Sequence, residues 1–503
     1  MQRPATRRNC CPVVEYNGSW TKRPGRDVFG GEIVAGHVPV GMSQYKTDSK
    51  SELIVACNTG WYRKNGNSWT LISGKTFTAD KDTHFVQAMD RLYGCNGVDG
   101  LCYYDGSTIT EVTGASLGNF SGVATKLEYA YNRLWALDAS FKGKVWYSNP
   151  MADDGTMGNF GTFDVNLAAN PVKNAGYIEP KKGSGTQVVD IREDGGSLWL
   201  LDKKRVRKIG TPTDNTDKSV AFPIEVVSSD LGGISPRGTV KTLNDFWLYS
   251  GENLYTNGEV AQFTSPRTTA KSGRIRSELQ SVTLAGMSKV ALGYFKEKIY
   301  FAYQMGACND HVVVLDTRLN AWSAPFTGWD IGAFLDYDDN GIHRFLGMSA
   351  SESYIYELAV GTDDAGQAIS SVFETLSTDC GLPGLVKRFA FIDVFYGMLF
   401  GLLTYEVFID EVSSVTGSLQ IGQSNTVPSG IGTRPIGTFP IGQEYDENTT
   451  YPALRQNSSF RIDCGYAAGS RVSVRFTNNA AGEQFKINSL VIFHLPGDIH
   501  ETL

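Results

Sequence analysis

Long apolar runs are absent from this 503-residue chain. The most apolar stretch, residues 396–404, is far too short to cross a bilayer. The residues after Met1 are polar and basic, and no apolar segment of a secretory signal follows them. We therefore expect a soluble protein that is synthesised in a cytoplasm and has no stable membrane insertion.

An excess of basic residues is also missing, because 46 Lys and Arg face 53 Asp and Glu, for a net charge of −7. This balance argues against tight, sequence-independent binding to nucleic acid. The N-terminus is an exception, and its basic residues are Arg3, Arg7, Arg8, Lys22, Arg23 and Arg26. Such a segment is either a solvated tail or an arm that docks on an acidic neighbour.

Metal-binding spacings do not occur. The sequence has no C-x-x-C, and no cysteine has a histidine at metal-site spacing. The eight cysteines are Cys10, Cys11, Cys57, Cys95, Cys102, Cys308, Cys380 and Cys464. We interpret them as small buried thiols rather than disulfides or ligands, and we expect no metal and no cofactor.

Catalytic motifs such as G-x-S-x-G, H-E-x-x-H and the phosphate-binding loops are missing as well. Acids expected in loops could serve a glycosidase, and they are Asp153, Asp154, Asp330, Asp336, Asp338 and Asp339. The repeated sialidase turn S-x-D-x-G-x-x-W has only one weak counterpart, residues 64–69, and residues 337–341 are typical of a β-turn. We predict a protein that is not an enzyme, with a carbohydrate-binding or glycosidase β-propeller as the alternative.

What the chain does contain is a recurring pair of short strands rich in aromatic residues. The seven pairs are 52–57 with 60–62, 91–95 with 100–104, 133–137 with 144–147, 197–201 with 205–209, 245–249 with 253–255, 298–302 with 311–315, and 343–347 with 354–356. Residues of these types favour strands, and the 55 glycines of the chain favour turns between them.

The spacing of these pairs is that of a repeat protein. Leu53 and Leu92, at the same place in the first two pairs, are 39 residues apart, and the longest interval, from Leu134 to Leu198, is 64 residues. Propeller blades repeat every 40–50 residues or so. Hairpin dipeptides support the pattern, at Asn65-Gly66, Asn96-Gly97, Asp105-Gly106, Asn257-Gly258 and Asn340-Gly341. We predict an all-β fold with an N-terminal β-propeller of about seven blades over residues 31–380; six or eight blades are the alternatives.

Beyond residue 380 the pattern changes to strands with alternating apolar and polar residues. They cover 387–395, 403–409, 459–463, 471–476 and 485–493, and they predict a C-terminal β-sandwich over residues 381–503. Between them, at 420–445, Ile-Gly recurs among prolines. This stretch is either a long loop or an extended arm laid against another subunit.

Four motifs resemble one family. Tyr16-Asn-Gly-Ser-Trp-Thr-Lys-Arg-Pro-Gly25 is similar to the K-R-P-G opening of the tail nozzle (tail tube) or packaged-DNA stabilisation proteins of short-tailed bacteriophages. Residues 144–150 resemble the strand that opens their mid-propeller loop, and residues 312–323 resemble a late-blade pattern that kelch-like propellers share. Residues 471–476 and 482–485 are similar to their closing sandwich strands.

The resemblance implies a structural virion protein in a phage tail. The implied assembly is a hexameric ring (nozzle) that continues the portal channel. Its expected partners are portal and adaptor proteins above it and needle, spike or fibre proteins nearby. The ring retains packaged DNA and conducts it at infection, without binding it specifically. The expected interface residues are Trp20, Lys22, Arg23, Pro24, Ile431, Gly432, Ile436 and Gly437. For residues 20–24 the alternative is an ordinary strand and turn that lead into the first blade, after an N-terminal arm over residues 1–30.

Overall fold

The computed structural model describes residues 7–12, 19–113, 117, 120–150, 175–180, 187–214, 220–243, 245–256, 271–421 and 458–496. The chain forms two compact units. The terminal unit comprises Met1–Arg26, Arg318–Phe326 and Ala359–Leu503, and the repeat unit comprises Asp27–Thr317 and Thr327–Leu358. The units divide after residues 26, 317, 326 and 358, and the N-terminal residues group with the C-terminal ones. The predicted domains, with boundaries after residues 30 and 380, stay a prediction.

Four short strands form the N-terminal segment. They are β1 (Arg7–Arg8), β2 (Cys10–Pro12), β3 (Trp20–Lys22) and β4 (Arg26–Val28). The first three join the sheets of the terminal unit. β4 is the outer strand of the last sheet in the repeat unit.

The repeat unit is a series of antiparallel sheets, numbered 1 to 7 along the chain. Sheet 1 contains β5 (Pro39–Lys46), β6 (Ser51–Cys57), β7 (Gly60–Asn65) and β8 (Ser68–Leu71). Sheet 2 contains β9 (His84–Ala88), β10 (Arg91–Cys95), β11 (Cys102–Tyr104) and β12 (Ile109–Glu111). Sheet 3 contains β13 (Ala124–Ala130), β14 (Arg133–Asp138), β15 (Val145–Tyr147) and β16 (Gly176–Ile178).

Sheet 4 contains β17 (Val188–Asp194), β18 (Ser197–Asp202), β19 (Val206–Ile209) and β22 (Ile224–Ser228), with the ribbon β20 (Thr213–Asp214) and β21 (Val220–Ala221) inserted. Sheet 5 contains β23 (Thr239–Lys241), β24 (Phe246–Tyr249) and β25 (Leu254–Thr256). Sheet 6 contains β26 (Ala291–Phe295), β27 (Lys298–Tyr303) and β28 (His311–Asp316). The short strands β29 (Ala321–Trp322) and β30 (Phe326–Thr327) follow in sequence, and β29 lies in a segment of the terminal unit. Sheet 7 contains β31 (Ile331–Asp339), β32 (Ile342–Ser349), β33 (Ile355–Leu358) and β4.

Helices are few. Before β26 lie one short α-helix, α1 (Arg276–Ser281), and the 3₁₀ turns Gly273–Ile275 and Gly286–Lys289. Within the described residues, no helix reaches the length and hydrophobicity that a membrane span requires.

The seven strand pairs predicted from the sequence are confirmed. Each pair forms the second and third strands of one sheet, as in β6 with β7 and β27 with β28. Turn chemistry explains the local register: Asn340 and Gly341 join β31 to β32 with φ angles of 54° and 93°, as a tight hairpin turn requires. Asn257-Gly258 lies outside the described residues.

The first strands of neighbouring sheets contact one another around the whole series. β5 contacts β9, β9 contacts β13, and β13 contacts β17. β23 contacts β26, β26 contacts β31, and β31 contacts β5. The remaining step, from β17 to β23, is made by the Thr239 hydroxyl, which donates to Asp190 Oδ2 at 2.6 Å. Because β31 of sheet 7 contacts β5 of sheet 1, the last sheet of the series lies beside the first.

Large apolar side chains fill the spaces between these sheets. Between sheets 1 and 2, Trp61 stacks on Phe77 at 4.9 Å and meets Phe85 edge-on at 4.8 Å. Gly94 makes room for this indole, because a Cβ there would lie 2.5 Å from Trp61 Cζ2. Between sheets 3 and 4, the fully buried Trp135 meets Phe222 at 4.9 Å. This packing explains why aromatic residues recur at the spacing seen in the sequence.

The terminal unit contains two sheets that share one long strand, β35 (Lys387–Ile409). The other strands are β34 (Ser371–Glu374), β36 (Val412–Ile421), β37 (Ser458–Gly469), β38 (Val472–Asn478) and β39 (Gln484–Pro496). Sheet A has the order β1-β34-β38-β35-β36, and sheet B has the order β2-β3-β39-β35-β37. Side chains of both sheets, such as Val407 and Ile487, form a single core.

The sequence prediction of separate strands at 387–395 and 403–409 is wrong in one respect, since both lie in the continuous β35. The first half of this strand pairs with β37 and β39, and the second half pairs with β36 and β38. Gly401, with φ of 102°, lies where the strand passes from sheet B to sheet A. The sequence carries a glycine there but no proline, and pairing on both sides keeps the strand intact.

Candidate interaction site

Lys22, at the end of β3, is buried in the terminal unit. Its Nζ donates to Asn478 Oδ1 at 2.8 Å and to the carbonyl of Ala480 at 3.0 Å. The amide of Asn478 in turn donates to Glu483 Oε2 at 2.7 Å and to the Leu402 carbonyl at 2.9 Å. Burial lowers the pKa of Lys22 to about 8, although the nearby Glu483 carboxylate opposes this shift. Lys22 therefore ties the N-terminal segment to β38 and the turn that follows it.

Arg23 forms a buried ion pair with Asp364, with side-chain exposures of 1% and 10%. Nη1 donates to Asp364 Oδ1 at 2.8 Å, and Nη2 contacts Oδ2. Nε donates to Asn9 Oδ1 at 3.0 Å. The guanidinium thus satisfies a carboxylate and an amide that lie far apart in sequence, in the bidentate geometry that favours Arg over Lys.

The remaining residues of this motif are fixed by close packing. A Cβ at Gly25 would lie 1.7 Å from the carbonyl oxygen of Asp363, so only glycine fits. Pro24 is half-buried. Trp20 stacks on Phe373 at 5.6 Å, and the guanidinium of Arg7 lies 4.4 Å from its ring.

The predicted interface residues at 20–24 therefore make their contacts inside the terminal unit. Trp20, Lys22 and Arg23 all have partners in the same chain. The sequence predicted exposed contacts because it could not show the residues near 364 and 478 that meet them. Ile431, Gly432, Ile436 and Gly437 lie outside the described residues. A subunit interface at either place stays a prediction.

A second group of polar and mostly charged residues, which sequence reasoning missed, lies on or just before the first strands of sheets 2 to 5. This inner ionic cluster comprises Asp82, His84, Lys126, Glu128, Asp190, Arg192, Arg237 and Thr239. Lys126 Nζ lies 3.2 Å from Asp190 Oδ1 and donates to the Pro236 carbonyl at 2.6 Å. The eight residues come in pairs from four different repeats, so no single local motif could have revealed the cluster.

Arg237, just before β23, bridges several sheets. Its Nη2 donates to the Val40 carbonyl of sheet 1 at 2.7 Å and contacts the Asp82 carboxylate beside sheet 2. Its Nη1 donates to the Gly332 carbonyl of sheet 7 at 3.4 Å. One side chain therefore links sheets 1, 2 and 7 to the segment that precedes sheet 5, across the centre of the series.

Burial decides the ionisation of this cluster. It lowers the pKa of His84 to about 4, and the Lys126 ammonium adds to that shift. Burial also lowers the pKa of Lys126 against the pull of Asp190, and it raises the pKa of Glu128. For Asp82 burial acts upward, but Arg237 and His84 outweigh it and the pKa lies below its usual range. Near neutral pH, His84 is therefore uncharged.

The acids that were considered for catalysis have separate partners. Asp336 pairs with His343 at 3.1 Å, Asp338 with Lys46 at 2.5 Å, and Asp339 with Arg344 at 2.9 Å. The β-turn predicted within residues 337–341 is confirmed at Asn340-Gly341, and β31 continues up to it through Asp339. Asp330 accepts a hydrogen bond from the Ser351 hydroxyl at 2.8 Å, and Asp153 and Asp154 lie outside the described residues.

Other chemistry-bearing groups are buried or isolated. Of the eight free cysteines, Cys10, Cys57, Cys95, Cys102 and Cys464 are buried, as the sequence predicted, and the other three are half-buried. Burial raises the pKa of Cys57 to about 11. In the part of the chain that the structure describes, no three His, Cys, Asp or Glu side chains come together in a way that could hold a metal ion.

Comparison with known proteins gives no family. No protein-family model matches the chain, and no curated protein matches it. Among solved structures, the chain is similar to the computationally designed Ika8 protein, with 8% identity, a TM-score of 0.35, and coverage of 66% of this chain and 99% of that one. It is also similar to YCF48 bound to a D1 peptide, with 8% identity, a TM-score of 0.35, and coverage of 69% and 96%. Similarities this low assign no function.

Proposed function

We propose that the repeat unit is a seven-bladed β-propeller and that the terminal unit is a β-sandwich. Seven sheets follow one another, their first strands meet in a closed sequence, and β4 from the N-terminal segment completes the last sheet. Completion of the last sheet by a distant strand is a way to remove open edges from a radial repeat. A core shared by sheets A and B, each amphipathic, supports the sandwich.

We further propose that the protein is a structural component of a short bacteriophage tail, a nozzle ring that continues the portal channel. The observation that carries this proposal is that the residues of the family motifs hold the fold together. Lys22, Arg23 and Gly25 of the K-R-P-G motif each make a specific buried contact. Three of the four motif residues thus have a structural role in this chain.

The second motif behaves in the same way. In residues 144–150, Trp146 Nε1 donates to the buried Asp138 at 2.8 Å, and the Ser148 hydroxyl accepts from the amide of Leu134 at 2.9 Å. In the closing motif, Glu483 accepts hydrogen bonds from Asn478 and from the backbone of Leu402. These contacts make the motifs part of the framework, as expected for a rigid wall that bears load.

In this ring, DNA would pass along the axis between subunits. The centre of the repeat unit is crossed by Arg237, which leaves no room for a duplex there. A net charge of −7 limits adhesion between the wall and a sliding duplex. The ring would thus retain and conduct the genome because its channel encloses the duplex, without specific binding. Portal or adaptor proteins would lie on one side of the ring, and a needle, spike or fibre would lie nearby.

The test is to locate the protein in particles. Virions of the phage that encodes this chain are purified, their proteins are identified by mass spectrometry, and tails are labelled with an antibody against the repeat unit. We expect the chain in tails at a fixed copy number, six per particle for a hexameric ring. Its absence from virions overturns the proposal, as would glycan hydrolysis that disappears in an Asp338→Asn variant.

A further inference from the structure

Asn65 and Gly66 lie at the tip of the hairpin that joins β7 to β8, and both residues are exposed. Gly66 has φ of 58°, and no atom lies within 4 Å of the position that a Cβ would take. The Ser68 hydroxyl donates to the Asn65 carbonyl at 3.0 Å. Within the described residues, the side-chain amide of Asn65 and the backbone N–H of Gly66 make no hydrogen bond. Both groups are therefore free to react.

An asparagine that precedes a glycine can deamidate without an enzyme. The glycine nitrogen attacks Cγ of the asparagine, the bond from Cγ to the side-chain nitrogen breaks, and that nitrogen leaves as ammonia with the proton of the glycine amide. A five-membered succinimide remains. Water then adds to one of its two carbonyls and opens the ring, which gives aspartate or isoaspartate. Glycine favours the attack, because it has no Cβ to shield its nitrogen and its backbone turns easily.

Two conditions control the rate in a folded chain. The side-chain amide must rotate towards the next backbone nitrogen, and the N–H of that nitrogen must be able to lose its proton. Any hydrogen bond that holds either group has to break first. A hydrogen bond to a neutral group then slows the reaction by up to about tenfold, and one to a carboxylate slows it by about tenfold or more. The pair at 65–66 meets both conditions.

The pair Asn96-Gly97 fails both conditions. Asn96 Oδ1 accepts from the amides of Val98 and Asp99 at 3.0 and 2.8 Å, and Nδ2 donates to Asp99 Oδ2 at 2.6 Å. The amide of Gly97 donates to the carbonyl of Ala124 at 2.8 Å. Four hydrogen bonds thus hold the two groups that have to meet, so this site should react most slowly.

The pair Asn340-Gly341 fails one condition. Its glycine amide donates to Asp338 Oδ1 at 2.6 Å. A bond to a carboxylate is stronger than one to a neutral group, and the negative charge also opposes loss of the proton from this nitrogen. The same dipeptide therefore occurs in three different settings. Two further pairs, Asn17-Gly18 and Asn257-Gly258, lie outside the described residues.

β8 fixes the segment that connects β4 to β5. The amide of Gly31 donates to the Asn67 carbonyl at 3.0 Å, and Trp69 Nε1 donates to the Gly31 carbonyl at 2.8 Å. β7 ends at Asn65 and β8 begins at Ser68, so the turn between the strands is tight. In isoaspartate the main chain passes through Cβ and Cγ of the side chain, which lengthens it by an atom. This insertion at position 65 displaces Asn67 and Trp69 from Gly31.

We propose that Asn65 is a site of spontaneous deamidation and that isoaspartate formed there releases β8 from the segment between β4 and β5. The reaction needs water alone, and it does not reverse under the same conditions. The modified fraction therefore increases with the age of the folded chain. The proposal depends on the hairpin of sheet 1 and not on the tail assignment.

The test is to age the purified full chain in mildly alkaline buffer, digest it at acidic pH and locate the products by mass spectrometry with fragmentation. Asn65 should deamidate at least about tenfold faster than Asn340, and Asn96 should be slowest. Asn67, which precedes a serine, is the control within the same peptide and should stay intact. In denaturant the three Asn-Gly pairs should react at similar rates. A folded chain in which Asn65 reacts no faster than the other two overturns the proposal.

Two variants test the role of the hydrogen bonds. Asp338→Ala removes the acceptor of the Gly341 amide, so Asn340 should react about tenfold faster while the rate at Asn65 stays the same. An unchanged rate at Asn340 overturns this explanation of the selectivity. Asn65→Gln keeps the amide but requires a larger ring, so this position should remain unmodified. Reaction in heavy-oxygen water should place a heavy oxygen in the product at Asn65, as opening of a succinimide requires.

Hydrogen exchange measures the release of β8. The Gly31 amide should lose protection in proportion to the isoaspartate content of the aged wild type and should stay protected in aged Asn65→Gln. An equal loss in this variant, or full protection in a chain that carries isoaspartate at position 65, overturns the proposed release. None of these outcomes affects the search for the protein in virions.

Discussion

The two units build their sheets from strands with very different separations in sequence. In the repeat unit nearly every sheet uses consecutive strands, and neighbouring sheets are joined by buried aromatic residues such as Trp61 and Trp135. In the terminal unit, β1 and β3 pair with strands that begin at residue 371 or later, and buried charges such as Arg23 hold the N-terminal segment in place. A substitution in the core of the repeat unit should therefore weaken the packing of one pair of sheets, whereas loss of the N-terminal strands should unfold the whole terminal unit.

Removal of residues 1–24 should have the largest effect. It deletes β1, β2 and β3 and leaves Asp364 buried without Arg23. Loss of one partner of a buried ion pair alone costs about 3–5 kcal/mol, so we expect the terminal unit to be unfolded. Denaturant unfolding followed by near-ultraviolet circular dichroism should show a retained transition for the repeat unit. Limited proteolysis should show cleavage of the terminal unit beyond residue 359. An unchanged single transition would refute the contrast between the units.

Trp135→Ala should destabilise the repeat unit by about 3–5 kcal/mol, because it opens a cavity between sheets 3 and 4 where Trp135 meets Tyr147 and Phe222. The matched control is Leu243→Ala, which removes an apolar side chain that is 79% exposed and should change stability by less than about 0.5 kcal/mol. Chemical denaturation measures both variants. Equal effects from the two would contradict the importance of packing between the sheets.

Acid should weaken the repeat unit through His84. Its folded-state pKa of about 4 lies below the value of about 6.5 for an unfolded histidine, so the unfolded chain takes up the proton first. The contribution of neutral His84 to the free energy of unfolding is fully present above pH 6.5, and this free energy falls by about 3 kcal/mol as the pH drops to 4. Unfolding free energies measured across this window should show the slope, and His84→Gln should flatten it. A slope that persists in the variant would assign the effect to other groups.

Gly341→Ala should have the smallest effect. Gly341 has φ of 93° in the turn between β31 and β32, where no atom would obstruct a Cβ, so only backbone strain opposes alanine. We expect a loss of about 1 kcal/mol, measured as a small drop in the denaturation midpoint. Gly273→Ala, also without obstruction but with an ordinary φ, serves as the control. A neutral Gly341→Ala would mean that the turn relaxes.

The strand pairs were predictable because their signals are local. A strand such as β27 and its partner β28 are separated by a few residues, and each carries the aromatic or branched side chains that the packing needs. β4 could not be predicted as the last strand of sheet 7, since three residues carry no periodicity and their partner lies more than 300 residues away. The continuity of β35 was missed for the same reason, because its pairing is set by strands far along the chain.

The candidate site was predictable only in part. The K-R-P-G motif directed attention to Lys22 and Arg23, but their partners Asn478 and Asp364 could be found only in three dimensions. The inner ionic cluster was not recognised, because Asp82, Lys126 and Asp190 lie in separate repeats and meet only in three dimensions. Charged residues at buried positions of a strand are the one pattern that could have indicated it.

The position of β4 has a consequence for the order of events during synthesis. β4 leaves the ribosome before any other strand of the repeat unit, yet its partner β33 emerges only after six further sheets have been made. The segment that is translated first is thus used last. Sheet 7 cannot be completed until residue 358 has been synthesised. A truncated chain that ends earlier should therefore remain sensitive to proteases. The repeat unit can be complete only after translation has passed this residue.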